Sequence, residues 1–326
     1  MPRDEREMAR LALTNLAHAD FLAVMRQYQI VPGAFCACVL LLAGCSLSPL
    51  ASRTAAFSSA TNLVVNSSEN AYRAAVRLND EAQASMLVAR YDSAQPMDPH
   101  ALKHLIDPKG LEARTAVLNG LRTYARSIAD LASGVSSSKL DAATTSVGAN
   151  LQKMGDAISA STPIGIDITP AEANATSTAL KALGEFLISQ KVKSSVPKII
   201  HDMDPNVEII CNLLQSDITV LRDQTGRDYE QILAQQDSFI RHAGTSLSPA
   251  ERRTEIERLP QILLKKEATD DMLAGLADSV KQLALTHHAL AVAATTKDAP
   301  SLDARIADLR GAGERLADYY LALPKK

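Results

Sequence analysis

The helical pattern of this chain is clearest over residues 273–290, which read LAGLADSVKQLALTHHAL. One stripe recurs there at steps of three and four residues: Leu273, Leu276, Val280, Leu283, His287 and Leu290. This spacing places the stripe on one face of an α-helix and polar residues on the other. Because such a helix must bury its apolar face, the segment is predicted to belong to the core of a helical bundle.

The same periodicity continues on both sides of this stretch. Residues 111–135 and 140–158 each carry an apolar stripe and are joined by a short Ser-rich turn, so they are predicted to form an antiparallel helical hairpin. A last helix is predicted from about residue 300, and long helices are predicted over residues 54–93, 204–243 and 248–296.

Caps and prolines mark several helix ends. Thr169 and Ser248 are each followed by Pro-Ala-Glu, which predicts a capping box with proline at the first helical position. Pro197 is predicted to kink its helix, the pair Asp204-Pro205 to start a new one, and Pro260 to bend or divide the helix that contains it.

Composition supports the same fold class. Hydrophobic residues make up 46% of the 326 residues, but aromatic residues only 4%, and Trp is absent. Few aromatics and many Ala and Leu favour helix-on-helix packing over a β-sandwich or barrel. The predicted fold is therefore all-α: an elongated antiparallel multi-helix bundle with long, coiled-coil-like helices over residues 54–326. The formal charge of −3 argues against a nucleic-acid partner.

An apolar run near the N-terminus ends in Leu42-Ala43-Gly44-Cys45. Pro32 and Gly33 interrupt the run, which falls short of the ~20 apolar residues that a spanning helix needs. The four residues resemble the lipobox of bacterial lipoproteins. The resemblance implies that Cys45 carries a diacylglyceryl thioether and that the preceding apolar segment is an export signal.

This resemblance implies a division of the N-terminal region. Residues 25–44, which open with Met25-Arg26, have the size of a lipoprotein signal peptide, and residues 45–53 would form the lipidated cysteine and its tether. Residues 1–24 mix acids and bases, so we expect them to be a mis-annotated extension, with translation starting at Met25.

The resemblance also implies a location. Ser46, and not Asp, follows the cysteine, which in lipoprotein sorting favours the outer membrane. We therefore expect a lipid-anchored protein that faces the periplasm or the cell surface. Its expected partners are the membrane, through the anchor, and another protein. Apolar stripes left exposed on the bundle would also allow a homo-oligomer.

One cluster suggests a metal site. His100, His104 and Asp107 are spaced four and three residues apart, which on a helix ending near Ile106 would place them on one face. Ala101 stands where a zincin protease has its glutamate, so the protease motif does not apply.

Other candidate residues favour structural roles. Cys211 lies on an apolar stripe and is predicted to be a buried, inert thiol, and His287 a satisfied core or inter-helix histidine. His201 is predicted to lie near a helix C-terminus, and Gly313 to allow close approach of a neighbouring helix.

Three functional hypotheses remain open at this point. The chain contains no nucleophile elbow, phosphate loop or dinucleotide fingerprint, so no cofactor and no enzymatic activity are predicted. We expect a lipoprotein that acts as a non-catalytic helical scaffold or docking module. The alternatives are a metal- or small-ligand-binding bundle that uses His100, His104 and Asp107, and an enzyme of an unrecognised type.

Overall fold

The computed structural model describes residues 49–92, 104–135, 142–159, 169–189, 195–243, 246–296 and 301–323. Within these ranges the secondary structure consists of seven α-helices and no strand, which confirms the predicted all-α bundle. The helices are α1 Pro49–Asp92, α2 Pro108–Ala132, α3 Ala142–Ser159, α4 Pro170–Ser189, α5 Val196–Ala243, α6 Pro249–Thr295 and α7 Leu302–Ala322. None of these helices is long and apolar enough to cross a lipid bilayer.

Helices α5 and α6 form the longest hairpin. They contain 48 and 47 residues, so each extends over ~70 Å. Side-chain contacts show that they run antiparallel, because partners that come earlier in α5 meet partners that come later in α6. Gln236 bonds to Glu255, Arg222 to Asp270, and Asp204 to His287.

The main core lies where α1 meets its neighbours. Helix α1 contacts α2, α5, α6 and α7. Helices α3 and α4 pack against each other, and α4 also packs against α5. All seven helices contribute fully buried apolar side chains, each of which stabilises the fold by about 1.5–3 kcal/mol. Examples are Phe57, Tyr72, Leu118, Tyr124, Leu151, Leu183, Ile210, Leu276 and Leu309.

Glycines permit two close helix contacts. A Cβ on Gly148 of α3 would lie 2.7 Å from the carbonyl oxygen of Gly184 on α4, so the two backbones touch there. A Cβ on Gly313 of α7 would lie 3.1 Å from side-chain atoms of both Leu63 and Val64 on α1, which confirms the predicted close approach.

Both predicted capping boxes are present. The Thr169 backbone N–H donates to Glu172 Oε2 at 2.8 Å, and the Glu172 N–H donates to the Thr169 hydroxyl at 3.3 Å. Ser248 and Glu251 make the same reciprocal pair at the start of α6. These bonds satisfy backbone donors that the first helical turn leaves without partners.

Several helix boundaries differ from the prediction. Helix α1 already begins at Pro49, so residues 49–53, which were predicted to belong to a tether, are helical. Helix α5 begins at Val196 and continues through Pro205, and α6 continues through Pro260. Both prolines are exposed, and at Pro205 the burial of neighbours such as Ile200 and Val207 outweighs the single backbone bond that the proline removes.

Because α5 begins at Val196, the predicted place of His201 is also wrong. This histidine is exposed in the second turn of α5, near the N-terminus of the helix and not at a C-terminus. The Ser-rich turn that follows residue 135 and all residues before 49 lie outside the described residues.

Candidate functional site

A buried polar cluster joins three helices around Asp204 of α5. Its carboxylate accepts hydrogen bonds from Nδ1 of His287 at 2.9 Å and from Nδ1 of His288 at 2.7 Å, both on α6. The hydroxyl of Tyr124 on α2 lies 2.9 Å from Nε2 of His287 and donates to it. The chain of contacts therefore runs from the buried Tyr124 to His288, whose side chain is 68% exposed.

The electrostatics of this cluster favour an ionised carboxylate and a neutral phenol. Burial opposes ionisation of Asp204, but the bonds from His287 and His288 outweigh it, so the pKa of Asp204 lies below its ordinary value. Burial, and then the negative charge of Asp204, raises the pKa of Tyr124. The phenol is therefore a hydrogen-bond donor and not a nucleophile.

The surroundings of the cluster indicate a structural role. The rings of Phe57 and Tyr124 lie 5.8 and 5.5 Å from the ring of His287, and Phe186 packs edge-on against Tyr124. Both Tyr124 and His287 are fully buried, so a substrate could not reach them while the bundle is closed. His287 is thus the satisfied inter-helix histidine that its place on the stripe predicted.

A second buried cluster centres on Asp217 of α5. Arg114 of α2 donates two bonds to its carboxylate, from Nε at 2.7 Å and from Nη2. Tyr72 of α1 donates to the same carboxylate at 3.3 Å, and Arg114 Nη1 donates to the carbonyl of Gly110 at 3.0 Å. The Arg114 and Asp217 side chains are only 5% and 2% exposed.

The contact with Asp217 favours the charged form of Arg114. Burial opposes the charge of Arg114, but the hydrogen bonds and the charge of Asp217 outweigh it, so the pKa of Arg114 is raised. Burial and the charge of Asp217 raise the pKa of Tyr72 well above its ordinary value. The cluster connects α1, α2 and α5 through side chains that are almost completely buried.

The predicted metal ligands do not share a helical face. His104 and Asp107 lie on non-helical backbone before α2, so the predicted helix ending near Ile106 is wrong there, and His100 lies outside the described residues. Nδ1 of His104 is 2.8 Å from Asp80, and Asp107 caps α2 by accepting from the Gly110 N–H at 2.5 Å. Among the residues described, no group of three possible ligands is close enough to hold a metal ion. Zinc binding through all three residues stays a prediction.

The two predicted cysteine roles fall in different parts of the chain. Cys211 is buried, and burial followed by the charge of Glu208 raises the pKa of its thiol to about 12, which makes it unreactive as predicted. Cys45 lies outside the described residues, so its lipidation stays a prediction.

An apolar groove lies between the ends of α1, α5 and α6. It has a volume of about 340 Å³. Five apolar side chains line it: Met86, Val88, Ile232, Phe239 and Ile262. Val88 is 54% exposed, whereas Met86, Ile232 and Phe239 are largely buried in the floor.

The charged side chains around the groove are paired with each other or with neighbours. Glu255 accepts from Arg258 at 2.7 Å and from the Gln236 amide at 2.9 Å. Lys265 lies 3.6 Å from Glu81 of α1. Unlike these paired groups, the side-chain oxygen Oε1 of Gln235 is buried without a hydrogen-bond partner among the described residues. The groove thus combines a largely apolar floor with paired charges and one buried acceptor.

Sequence reasoning did not identify this groove. Met86 and Val88 lie on the first predicted helix, but the other apolar side chains of the groove come from two distant segments. Periodicity shows that each segment has an apolar face, but not which helix ends meet.

Searches among protein-family models, curated proteins and solved structures found no match to this chain.

Proposed function

We propose that this chain is a lipid-anchored, non-catalytic docking protein that binds a partner protein in the groove between α1, α5 and α6. The observation that carries this proposal is the groove itself. It combines an apolar floor and the exposed apolar side chain of Val88 with charges that are already paired, which is the chemistry of a binding surface and not of a reaction centre.

The expected partner segment is an amphipathic α-helix with an uncharged contact face. Three helix ends form the walls, and an apolar helical face is a common occupant of a groove between helices. An unpaired charge on the partner would be buried against Val88 and Met86 without compensation. The flexible Met86 side chain can adapt to the shape of the incoming side chains.

In the sequence, the proposed anchor precedes the first residue of α1, whereas the groove involves the last turns of that helix. Cys45 precedes Pro49 by four residues in the sequence, while Met86 lies ~55 Å farther along the helix axis. A lipid on Cys45 would therefore hold one end of α1 at the outer membrane, and the partner would bind at the other end.

In-cell photo-crosslinking of the full-length chain tests this function. A photoreactive residue at Val88 should capture one protein, and its crosslinked peptide should map to an uncharged face of a helix. The same residue at exposed Asp308 of α7 is the control. The mass of the N-terminal peptide from the same sample reports whether Cys45 carries lipid.

A charge substitution provides the decisive comparison. Val88→Glu should reduce recovery of the captured protein by roughly tenfold, because binding would bury an unpaired carboxylate. Val292→Glu, at an exposed valine of α6 outside the groove, should not change it. Equal capture from Val88 and Asp308, or capture that survives Val88→Glu, would overturn the proposal.

A further inference from the structure

The first half of α6 is apolar on a second face. Ile256, Leu263 and Leu264 are 48%, 45% and 63% exposed, and Pro260 between them is also exposed. At 100° per residue these four positions share one side of the helix. We call Ile256, Pro260, Leu263 and Leu264 the outer stripe.

The outer stripe is distinct from the face that α6 buries within its own chain. Ile262, Thr269, Met272 and Leu273 turn toward the rest of the bundle. The groove residues of α6, such as Ile262 and Lys265, also lie on the side opposite to the outer stripe. A molecule bound to the outer stripe would therefore leave the groove accessible.

Side chains of opposite charge lie at the two ends of the outer stripe. Arg253 lies seven residues before Pro260, and Glu267 lies seven residues after it on the same side of the helix. Ile256 and Leu264 lie four residues before and after Pro260. Ile256 and Leu264 are thus symmetric about Pro260, and Arg253 and Glu267 occupy mirror positions with opposite charges, whereas the mirror position of Leu263 is Glu257.

We propose that the outer stripe is a homodimer interface, in which α6 pairs antiparallel with α6 of a second copy around a twofold axis at Pro260. This register places Ile256 against Leu264 of the partner subunit, and Arg253 against Glu267 of the partner subunit. Each contact occurs twice, as the self-complementary interface of a twofold dimer requires. The proposal is independent of the proposed docking function.

Charge complementarity favours a second copy over other occupants. An anionic membrane surface would be repelled by Glu267 and by Asp271 at one end of the outer stripe. Arg253 now bonds to Glu257 of its own helix at 2.7 Å, but its side chain is 80% exposed, so this pair is weakly held and can be exchanged. One helical face is a small interface, so we expect weak, on the order of micromolar, self-association.

A charge-exchange experiment tests the register. Full-length chains with two different affinity tags are mixed in detergent, and the recovery of one tag with the other is measured. Arg253→Glu alone and Glu267→Arg alone should each weaken self-association, because like charges then meet across the axis. Mixing the two single variants should restore pairing, with on the order of tenfold more mixed dimer than either variant forms with itself.

The double variant Arg253→Glu with Glu267→Arg should also recover self-association, since it exchanges both signs. Leu264→Glu should abolish pairing, whereas Leu321→Glu on α7, where the leucine is 61% exposed, should not. The detergent micelle is the same in all these samples, so it cannot account for differences between the variants. A wild-type chain that stays monomeric across a concentration series in sedimentation, or single variants that do not pair when mixed, would overturn the proposal.

Discussion

At the residue scale, the described chain holds two kinds of Arg–Asp pair with similar geometry and different surroundings. Arg114 and Asp217 form a buried two-bond pair between α2 and α5. Arg222 and Asp270 form a two-bond pair at 2.9 and 2.8 Å between α5 and α6, but both side chains are well exposed. Water can replace the second pair and not the first.

This contrast predicts the effect of two matched substitutions. Asp217→Asn should lower the free energy of unfolding by about 3–5 kcal/mol, because it leaves the guanidinium of Arg114 buried without an opposite charge. Asp270→Asn should lower it by less than ~1 kcal/mol, because its pair is screened by solvent. Urea unfolding followed by helical ellipticity measures both. Similar losses for the two variants would show that burial does not decide the strength of these pairs.

Asp204 makes the stability of the fold depend on pH in the acid range. Its pKa in the folded chain is depressed below the ordinary value of 3.8, so the unfolded chain binds the proton more readily. The stabilisation is therefore fully present above pH 3.8 and is lost as the pH falls through the lower pKa of the folded state.

Comparison with Asp204→Asn isolates this contribution. Glu172 and Glu251 also contribute to the pH dependence of stability in the acid range, because hydrogen bonds from Thr169 and Ser248 lower their pKa values. The difference in melting temperature between the wild-type chain and Asp204→Asn should shrink as the pH falls from about 5 to about 2. A difference that is constant over this range would contradict the linkage.

At the scale of elements, the contact of α3 with α4 depends on the absence of side chains. Gly148 and Gly184 place each helix backbone against the other, and a Cβ on Gly184 would lie 2.6 Å from the Gly148 carbonyl oxygen. In contrast, a Cβ on Gly226 of α5 would meet nothing within 4 Å. Substitutions at Gly184 and Gly226 therefore distinguish the effect of helix propensity on stability from the effect of helix packing.

Alanine at these two glycines should act in opposite directions. Gly226→Ala should stabilise the chain by about 0.5–1 kcal/mol, the usual gain for alanine over glycine in an exposed helix. Gly184→Ala should destabilise it by about 1–3 kcal/mol despite the same gain in propensity, because α4 must move away from α3. Thermal unfolding of both variants measures the effect. A stabilising Gly184→Ala would show that the two helices can separate at little cost.

At the scale of the whole molecule, α6 contributes residues to three different surfaces. Its later half lies in the main core, and its first half faces the groove on one side and carries the outer stripe on the other. A small cluster of Ala82, Met86, Tyr229 and Ile232, with Ile262 packed against it, joins α1, α5 and α6 beside the groove. The proposed docking and pairing surfaces are thus built on the same part of the hairpin but on opposite sides.

The sequence by itself determined the fold class, the apolar face of most helices and several local features. The two capping boxes, the buried Cys211 and the close approach at Gly313 could all be predicted. These features depend on the order of neighbouring residues and on helical periodicity, which act within a few turns. The same information predicted that His287 lies in the core, because it occupies a stripe position.

Only the tertiary structure decided which groups meet. It paired His287 with Asp204 and Tyr124, joined Arg114 to Asp217, and carried α5 through Pro205, where local rules predicted a helix start. It also showed that the outer stripe of α6 is left uncovered within the described chain. The physical reason is that periodicity reveals an apolar face, while the residues that cover that face come from distant segments and are selected by burial and polar pairing across the whole bundle.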